Sequence, residues 1–218
     1  YVGDIQKDNN EYLAHCPSLG LGEILKPGSE LLLTPSTNPK SKTNYVIEAV
    51  KENETWVGNV PLHANRLVKK LLENNKILDT NISYIKPEHS MGDSRIDFYV
   101  KDLNDQEHFI EVKSVHIKIG NSAVFPVGYK KRKQDTVSER ANKHVQHMTH
   151  LAKDEKNAYI IFVVQRDDCE DFRPYHEKDP LFASLLKTAH DSGVNILALE
   201  CKIDNHGLEF LRKMTVHV

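Results

Sequence analysis

Cysteine is scarce: Cys16, Cys169 and Cys201 are the three in 218 residues, far apart, with no C-x-x-C pair. An odd, dispersed set excludes a disulfide framework and a cysteine zinc cluster, and a reducing, cytoplasmic setting is expected. No apolar run approaches the ~20 residues that span a bilayer, so no transmembrane helix is read. Neither a G-x-x-x-x-G-K-S/T loop nor a G-x-G-x-x-G turn occurs, which removes two common phosphate cradles and disfavours nucleotide chemistry. Charge of one sign is lacking as well, since 29 Lys+Arg stand against 31 Asp+Glu. At a net of −2 any nucleic-acid surface must be local. No Met and no h-region open the chain, and Tyr1 begins inside a strand-like pattern. A chain missing its true N-terminus is therefore expected.

What is present describes a folded globular protein. Hydrophobic residues make up 39% and charged residues 28%, and 218 residues suffice for one large or two small domains. Residues 1–60 read as short strands at Tyr1–Gln6, Glu11–His15, Ser29–Thr34, Thr43–Val50 and Thr55–Gly58. Turn formers such as Pro27-Gly28 and Asn38-Pro39 separate them, so a small all-β barrel or sandwich is expected. At Pro61 the period changes: Leu67, Val68, Leu71 and Leu72 share one helical face over Pro61–Asn75. Beyond residue 82 strands alternate with helices. Ser94–Val100 and Phe109–Ile117 are strand-like around a turn at Gln106, and Ser138–Leu151 and Leu181–Ser192 are helical. Ala158–Val164 and Val194–Leu199 are continuous apolar runs of the kind buried on both faces of an α/β sheet. Few contacts are expected to cross near residue 60.

The candidate chemistry lies on two of these strands. In Ile110-Glu111-Val112-Lys113, Glu111 and Lys113 are two apart and share a face. In Arg95-Ile96-Asp97-Phe98, Asp97 sits in the register opposite to its apolar neighbours. If the strands pair, Asp97, Glu111 and Lys113 converge at one rim. Two carboxylates suit Mg²⁺ or Mn²⁺, hard ions that prefer oxygen, and a Lys beside them can orient water and offset phosphate charge. The D/E-x-K string alone is weak, because Asp154-Glu155-Lys156 and Glu200-Cys201-Lys202 also match. From the string alone, a solvated strand edge with a Glu–Lys ion pair is the better fit.

Charge is also local. Residues 113–143 hold Lys113, Lys118, Lys130, Lys131, Arg132, Lys133, Arg140 and Lys143 against Asp135 and Glu139, a net of +6. Such a segment suits salt-dependent contact with a phosphate backbone, or forms a solvated loop. His144, His147 and His150 recur along the second helix. With no carboxylate or Cys completing a ligand set, they read as a surface stripe.

Many short strings, in order, resemble the sugar fermentation stimulation protein A family. They include His15-Cys16-Pro17, Leu25-x-Pro27-Gly28-Ser29, Thr55-Trp56-Val57-Gly58, Asn65-Arg66-Leu67-Val68 and Ser94-Arg95-Ile96-Asp97-Phe98. Glu111-Val112-Lys113, Phe125-Pro126, Arg140-x-x-Lys143-His144 and Phe162-Val163-Val164-Gln165-Arg166 continue the series. The resemblance implies a two-domain α+β protein. An OB-like β-barrel (1–60), its first strand lying before Tyr1, would precede a restriction-endonuclease-like PD-(D/E)xK α/β domain (61–218). It further implies DNA as a partner, bound with little sequence preference, and a regulatory link to sugar (maltose) metabolism. Within that frame Asp97 and Glu111 are the expected metal ligands, Lys113 positions water, and Gln165 and His144 support them. Glu73 is a weaker candidate acid. The expected DNA contacts are Lys118, Lys130, Lys131, Arg132, Lys133, Arg140 and Lys143. The rival reading is a DNA-binding regulator that keeps the fold without turnover. Two departures stand out: Ser18-Leu19-Gly20 replaces the family's Asn-Thr-Gly, and Val127–Gln134 is an insertion.

Overall fold

A computed structural model of the chain describes residues 1–18, 20, 21, 24–92, 94–127 and 138–218. Among these, alternation over the first part yields β1 (Val2–Lys7), β2 (Asn10–His15), β3 (Leu31–Pro35), β4 (Tyr45–Glu52) and β5 (Thr55–Gly58). Asp8 and Asn9, with φ of 50° and 62°, turn β1 into β2, the positive-φ pair that suits a tight hairpin. The strands form one sheet in the order β1-β2-β4-β3, with β5 also on β4. Its core is small: Ile5, Ala14, Cys16 and Ile47 in one cluster, Leu21, Val50 and Val57 in another.

Helix α1 (Pro61–Glu73) follows at once, with Pro61 in its first turn, where a missing N–H costs nothing. The remaining elements are β6 (Ile82–Met91), β7 (Ser94–Asp102), β8 (Glu107–Val115), β9 (Ile117–Ile119), β10 (Ser122–Phe125), α2 (Glu139–Lys153), β11 (Asn157–Val164), β12 (Asp171–Pro174), α3 (Pro180–Asp191), β13 (Asn195–Asp204) and β14 (Gly207–Val216). Their strands make a second, mixed sheet in the order β6-β7-β8-β11-β13-β14-β12-β10-β9. Its centre, β8-β11-β13, is parallel, and its β6-β7-β8 flank is antiparallel.

Both faces are covered. Val68, Leu71 and Leu72 of α1 pack with Ile110, Ile161 and Val163 on one side. Val145 and Met148 of α2, and Phe182 and Leu186 of α3, pack with Phe109, Ile160 and Phe162 on the other. The continuous run of β11 is therefore explained: alternate residues feed two different cores. Helix α3 begins on Asp179, whose Oδ1 accepts from the Phe182 amide at 2.9 Å. Sequence pattern passes over β6, β9, β10, β12 and β14. β6 lies at the edge of the sheet and carries Pro87, which an edge position tolerates, and most of its side chains are exposed.

The junction between the two sheets is more closely bonded than the sequence implies. The Gly58 amide donates to the Gln165 carbonyl at 2.9 Å. The Gln165 amide group, fully buried, donates to the Val60 carbonyl at 3.2 Å and to Ser114 Oγ at 2.6 Å. Arg166, 2% exposed, donates to Glu52 of β4 at 2.8 Å, to the His116 carbonyl at 3.0 Å, and through Nε to Asp168 at 2.6 Å. A guanidinium that deeply buried is tolerable only when its donors are met, and here both sheets help meet them.

Candidate active site

Strands β7 and β8 pair from Lys101↔Glu107 to Phe98↔Ile110, and the ladder stops one residue short of Asp97 and Glu111. Alternation breaks at the same place. Ile96 belongs to the α2/α3 core and Phe98 to the α1 core, so Asp97 does not simply face away from two apolar neighbours on one side, as strict alternation predicts. On the neighbouring strand Glu88 has φ 51°. Freed from the ladder, Asp97 bonds sideways: Oδ2 accepts from the Val112 amide at 2.7 Å and Oδ1 from Asn65 Nδ2 of α1 at 2.8 Å. Each carboxylate oxygen then keeps a second lone-pair direction for another partner.

Glu111 is 3% exposed. Lys113 Nζ donates to its Oε1 at 2.5 Å, and His144 Nδ1 of α2 makes a close contact with the same oxygen. Lys113 Nζ also lies 3.1 Å from His144 Nδ1. That nitrogen cannot donate to Glu111 and accept from Lys113 at once; the nearer contact, with Glu111, makes it a donor. Burial pushes Asp97 up, and the Glu111 charge pushes it further, so its pKa stays raised despite the Val112 and Asn65 bonds. Burial also pushes Glu111 up, but the His144 bond and the Lys113 charge outweigh it and hold that carboxyl below its ordinary value. Burial depresses His147, only partly offset by Glu111.

Above Glu111 opens a cleft of about 470 Å³, lined by Arg95, Arg140, Lys143, His144 and His147, with Glu139. Three of these side chains are permanent cations, although Lys143 is paired with Glu139 at 2.8 Å and Arg95 with Glu88 at 3.0 Å. The structure thus brings together Asp97, Glu111, Lys113 and His144, and adds Asn65, Arg95 and His147. Asn65 and Arg95 stand inside strings noted for the family resemblance, but nothing in residue type or spacing assigns them a role.

Other expected residues lie elsewhere. Gln165 is at the junction, one hydrogen bond from Ser114 rather than against the carboxylates. Glu73 is half-exposed at the far end of α1, paired with Lys69 at 3.6 Å; Asn65, two turns earlier, is the helix residue that reaches Asp97. Lys118 bonds Asp168 at 3.1 Å, away from the cleft. The histidines are not a uniform stripe: His144 turns onto Glu111, His147 lines the cleft and His150 is exposed. Lys130, Lys131, Arg132 and Lys133 lie outside the described residues.

Among the described residues no three His, Cys, Asp or Glu form a ready cage for a metal. The donors present still suit a hard ion of the Mg²⁺ type, which keeps most of its waters and takes one or two carboxylates. The like-charge pressure of Glu111 on Asp97 is what a cation between them would relieve.

A family model described as the SfsA N-terminal OB domain matches residues 1–59. A second, the sugar fermentation stimulation protein RE domain, matches residues 62–207. The chain belongs to the sugar fermentation stimulation protein family. A homolog from Clostridium perfringens (strain 13 / Type A) is 34% identical over 211 residues, covering 96% of this chain and 88% of that protein. One from Methanobrevibacter smithii is 31% identical over 224 residues, covering 98% and 90%. The solved structure of Pyrococcus furiosus SfsA in complex with Ca²⁺ superimposes with a TM-score of 0.87 at 26% identity, covering all of this chain and 91% of that one. Together with the two sheets, these matches make the chain a two-domain α+β protein with an N-terminal OB domain.

Proposed function

We propose that this protein binds DNA and hydrolyses its phosphodiester bonds in the cleft above Glu111, in a nuclease-like PD-(D/E)xK domain, with Mg²⁺ or Mn²⁺ held by Asp97 and Glu111. The observation that carries the reading is the convergence of two carboxylates and a lysine where the β7–β8 ladder ends, under a cationic cleft. The Ca²⁺ in the P. furiosus relative supports the ion, because Ca²⁺ and Mg²⁺ share a preference for oxygen ligands. A bound divalent ion would polarise the phosphate and lower the pKa of a coordinated water.

The chain's own residues do the rest. Asn65 and the Val112 amide fix the orientation of Asp97. With an ion held by the carboxylates, Lys113 would be free of Glu111 to hold the attacking water and offset charge on the phosphate. His144, bonded through Nδ1 to Glu111, fixes the orientation of that carboxylate. Arg95 and Arg140 hold the DNA strand by its phosphates, without reading bases. Incubating single-stranded and duplex DNA with Mg²⁺ or Mn²⁺ tests the proposal. Wild type should cut, and Lys113→Ala, assayed below its melting temperature, should cut ~10²-fold or more slowly. The second reading, a DNA-binding regulator without turnover, is favoured by Lys113 and His144 both being engaged by Glu111. It predicts binding without cleavage under every ion.

A further inference from the structure

Along the sheet from the cleft runs a second hollow that the proposed chemistry does not use. It has a volume of about 380 Å³, and its walls come from β6, β7 and β8, with Lys156 from the turn before β11. Its rings form a series: Tyr84 meets Tyr99 edge-on at 6.4 Å, His89 stacks on Tyr99 at 4.7 Å and 26°, and Tyr99 leans on buried Phe109 at 5.5 Å. Tyr84, 50% exposed, offers its ring to solvent. Lys86 and Lys156 flank the hollow, and Lys156 Nζ sits 5.2 Å from the Phe109 ring centre. One acid is present, Glu107, which accepts from the Tyr99 hydroxyl and faces Lys156 at 3.9 Å.

Two features say what this surface takes. It is continuous with the cleft: Phe109 is two residues before Glu111 on β8, and Met91 of the hollow pairs with Ser94, next to Arg95 of the cleft. It is also aromatic and cationic together, the combination that binds unpaired bases by stacking while lysines follow the phosphates. A paired base inside a duplex has no free face to offer. We infer that the Tyr84–His89–Tyr99 surface is a stacking subsite for an unpaired nucleobase beside the phosphate held in the cleft, so the favoured substrate is DNA with a single-stranded segment or overhang. This inference rests on the proposed function.

The test is equilibrium binding in EDTA, where no metal-dependent cleavage intervenes, using a blunt duplex and the same duplex with an overhang carrying 2-aminopurine. Wild type should prefer the overhang and quench 2-aminopurine fluorescence. Tyr84→Ala should lose about five-fold or more in overhang affinity and leave blunt-duplex affinity unchanged, whereas Tyr84→Phe should behave as wild type. Equal weakening on both DNAs, or no change on either, overturns the subsite while leaving the proposed function standing. Failure of wild type to bind either DNA in EDTA, and again with Ca²⁺ in place of EDTA, removes the proposed function itself. A self-association broken by Tyr84→Ala, with DNA binding untouched, would reassign the surface to contact between copies and so overturn the inference. Because Tyr84 is half-exposed on an edge strand, the variants should melt as wild type does, which circular dichroism checks.

Discussion

Glu111 is a buried carboxylate whose charge is tolerated through two partners, Lys113 and His144. Removing Lys113 leaves that charge under-compensated, and breaking a buried pair of this kind costs about 3–5 kcal/mol. Lys113→Ala should therefore lower the melting temperature clearly at neutral pH. The sign with pH follows from the depressed pKa of Glu111: its stabilisation is present above the ordinary carboxylate range and is lost as pH falls through its lowered folded value. Thermal melts across a pH series should show the gap between wild type and Lys113→Ala narrowing on acidification. A gap independent of pH would mean that Lys113 stabilises by packing alone. Asp97, raised instead, works in the opposite sense: its ionisation destabilises the fold as pH rises. At this scale the sequence is informative where spacing decides contact. Glu111 and Lys113 have to share a face, but the bond from Asn65 depends on how α1 crosses the sheet, which no local pattern records.

The elements that carry the site are readable because each has a strong period. The apolar face of α1 and the unbroken run of β11 both follow from burial that repeats along the chain. β6 and β14 escape such a reading because they are largely exposed and their residues alternate weakly. The break in alternation at Asp97 escapes it too, since Arg95-Ile96-Asp97-Phe98 reads as a regular strand. Between the sheets, β5 approaches the end of β11 so closely that Gly58 admits no side chain. A Cβ there would lie 2.3 Å from Gln165 Oε1 and 2.9 Å from Gln165 Cβ. Gly58→Ala should cost about 1–3 kcal/mol, the usual range for overpacking. Gln165→Ala forfeits its own bonds to Val60 and Ser114, but the double variant should lose less than the sum of the two single losses, because the clashing amide is gone. Urea denaturation of the single and double variants checks this, and additive losses would show that the two positions do not meet.

For the whole molecule, net charge and local charge part company. The chain carries −2 overall, while residues 113–143 carry +6. Part of that excess is neutralised in the fold, since Lys113 and Lys118 are paired with acids outside the segment, Glu111 and Asp168. Changing Lys130, Lys131, Arg132 and Lys133 together to Ala should weaken DNA binding uniformly across sequences. It should also flatten the plot of log K against log salt by ~0.9 for each DNA phosphate that these side chains neutralise. An unchanged slope would move the DNA to other surfaces, the OB domain first among them. Family and two-domain architecture are legible from ordered short strings, since a family resemblance draws on many positions at once. The bonding at the junction is not, because Gln165 and Arg166 meet residues more than a hundred positions away. The central claim is that Asp97 and Glu111 together hold a divalent ion. Calorimetric titration of Mn²⁺ into wild type, Asp97→Ala and Glu111→Gln tests it most directly: binding to wild type and its loss in both variants is the predicted result, and equal Mn²⁺ affinity in all three would contradict it.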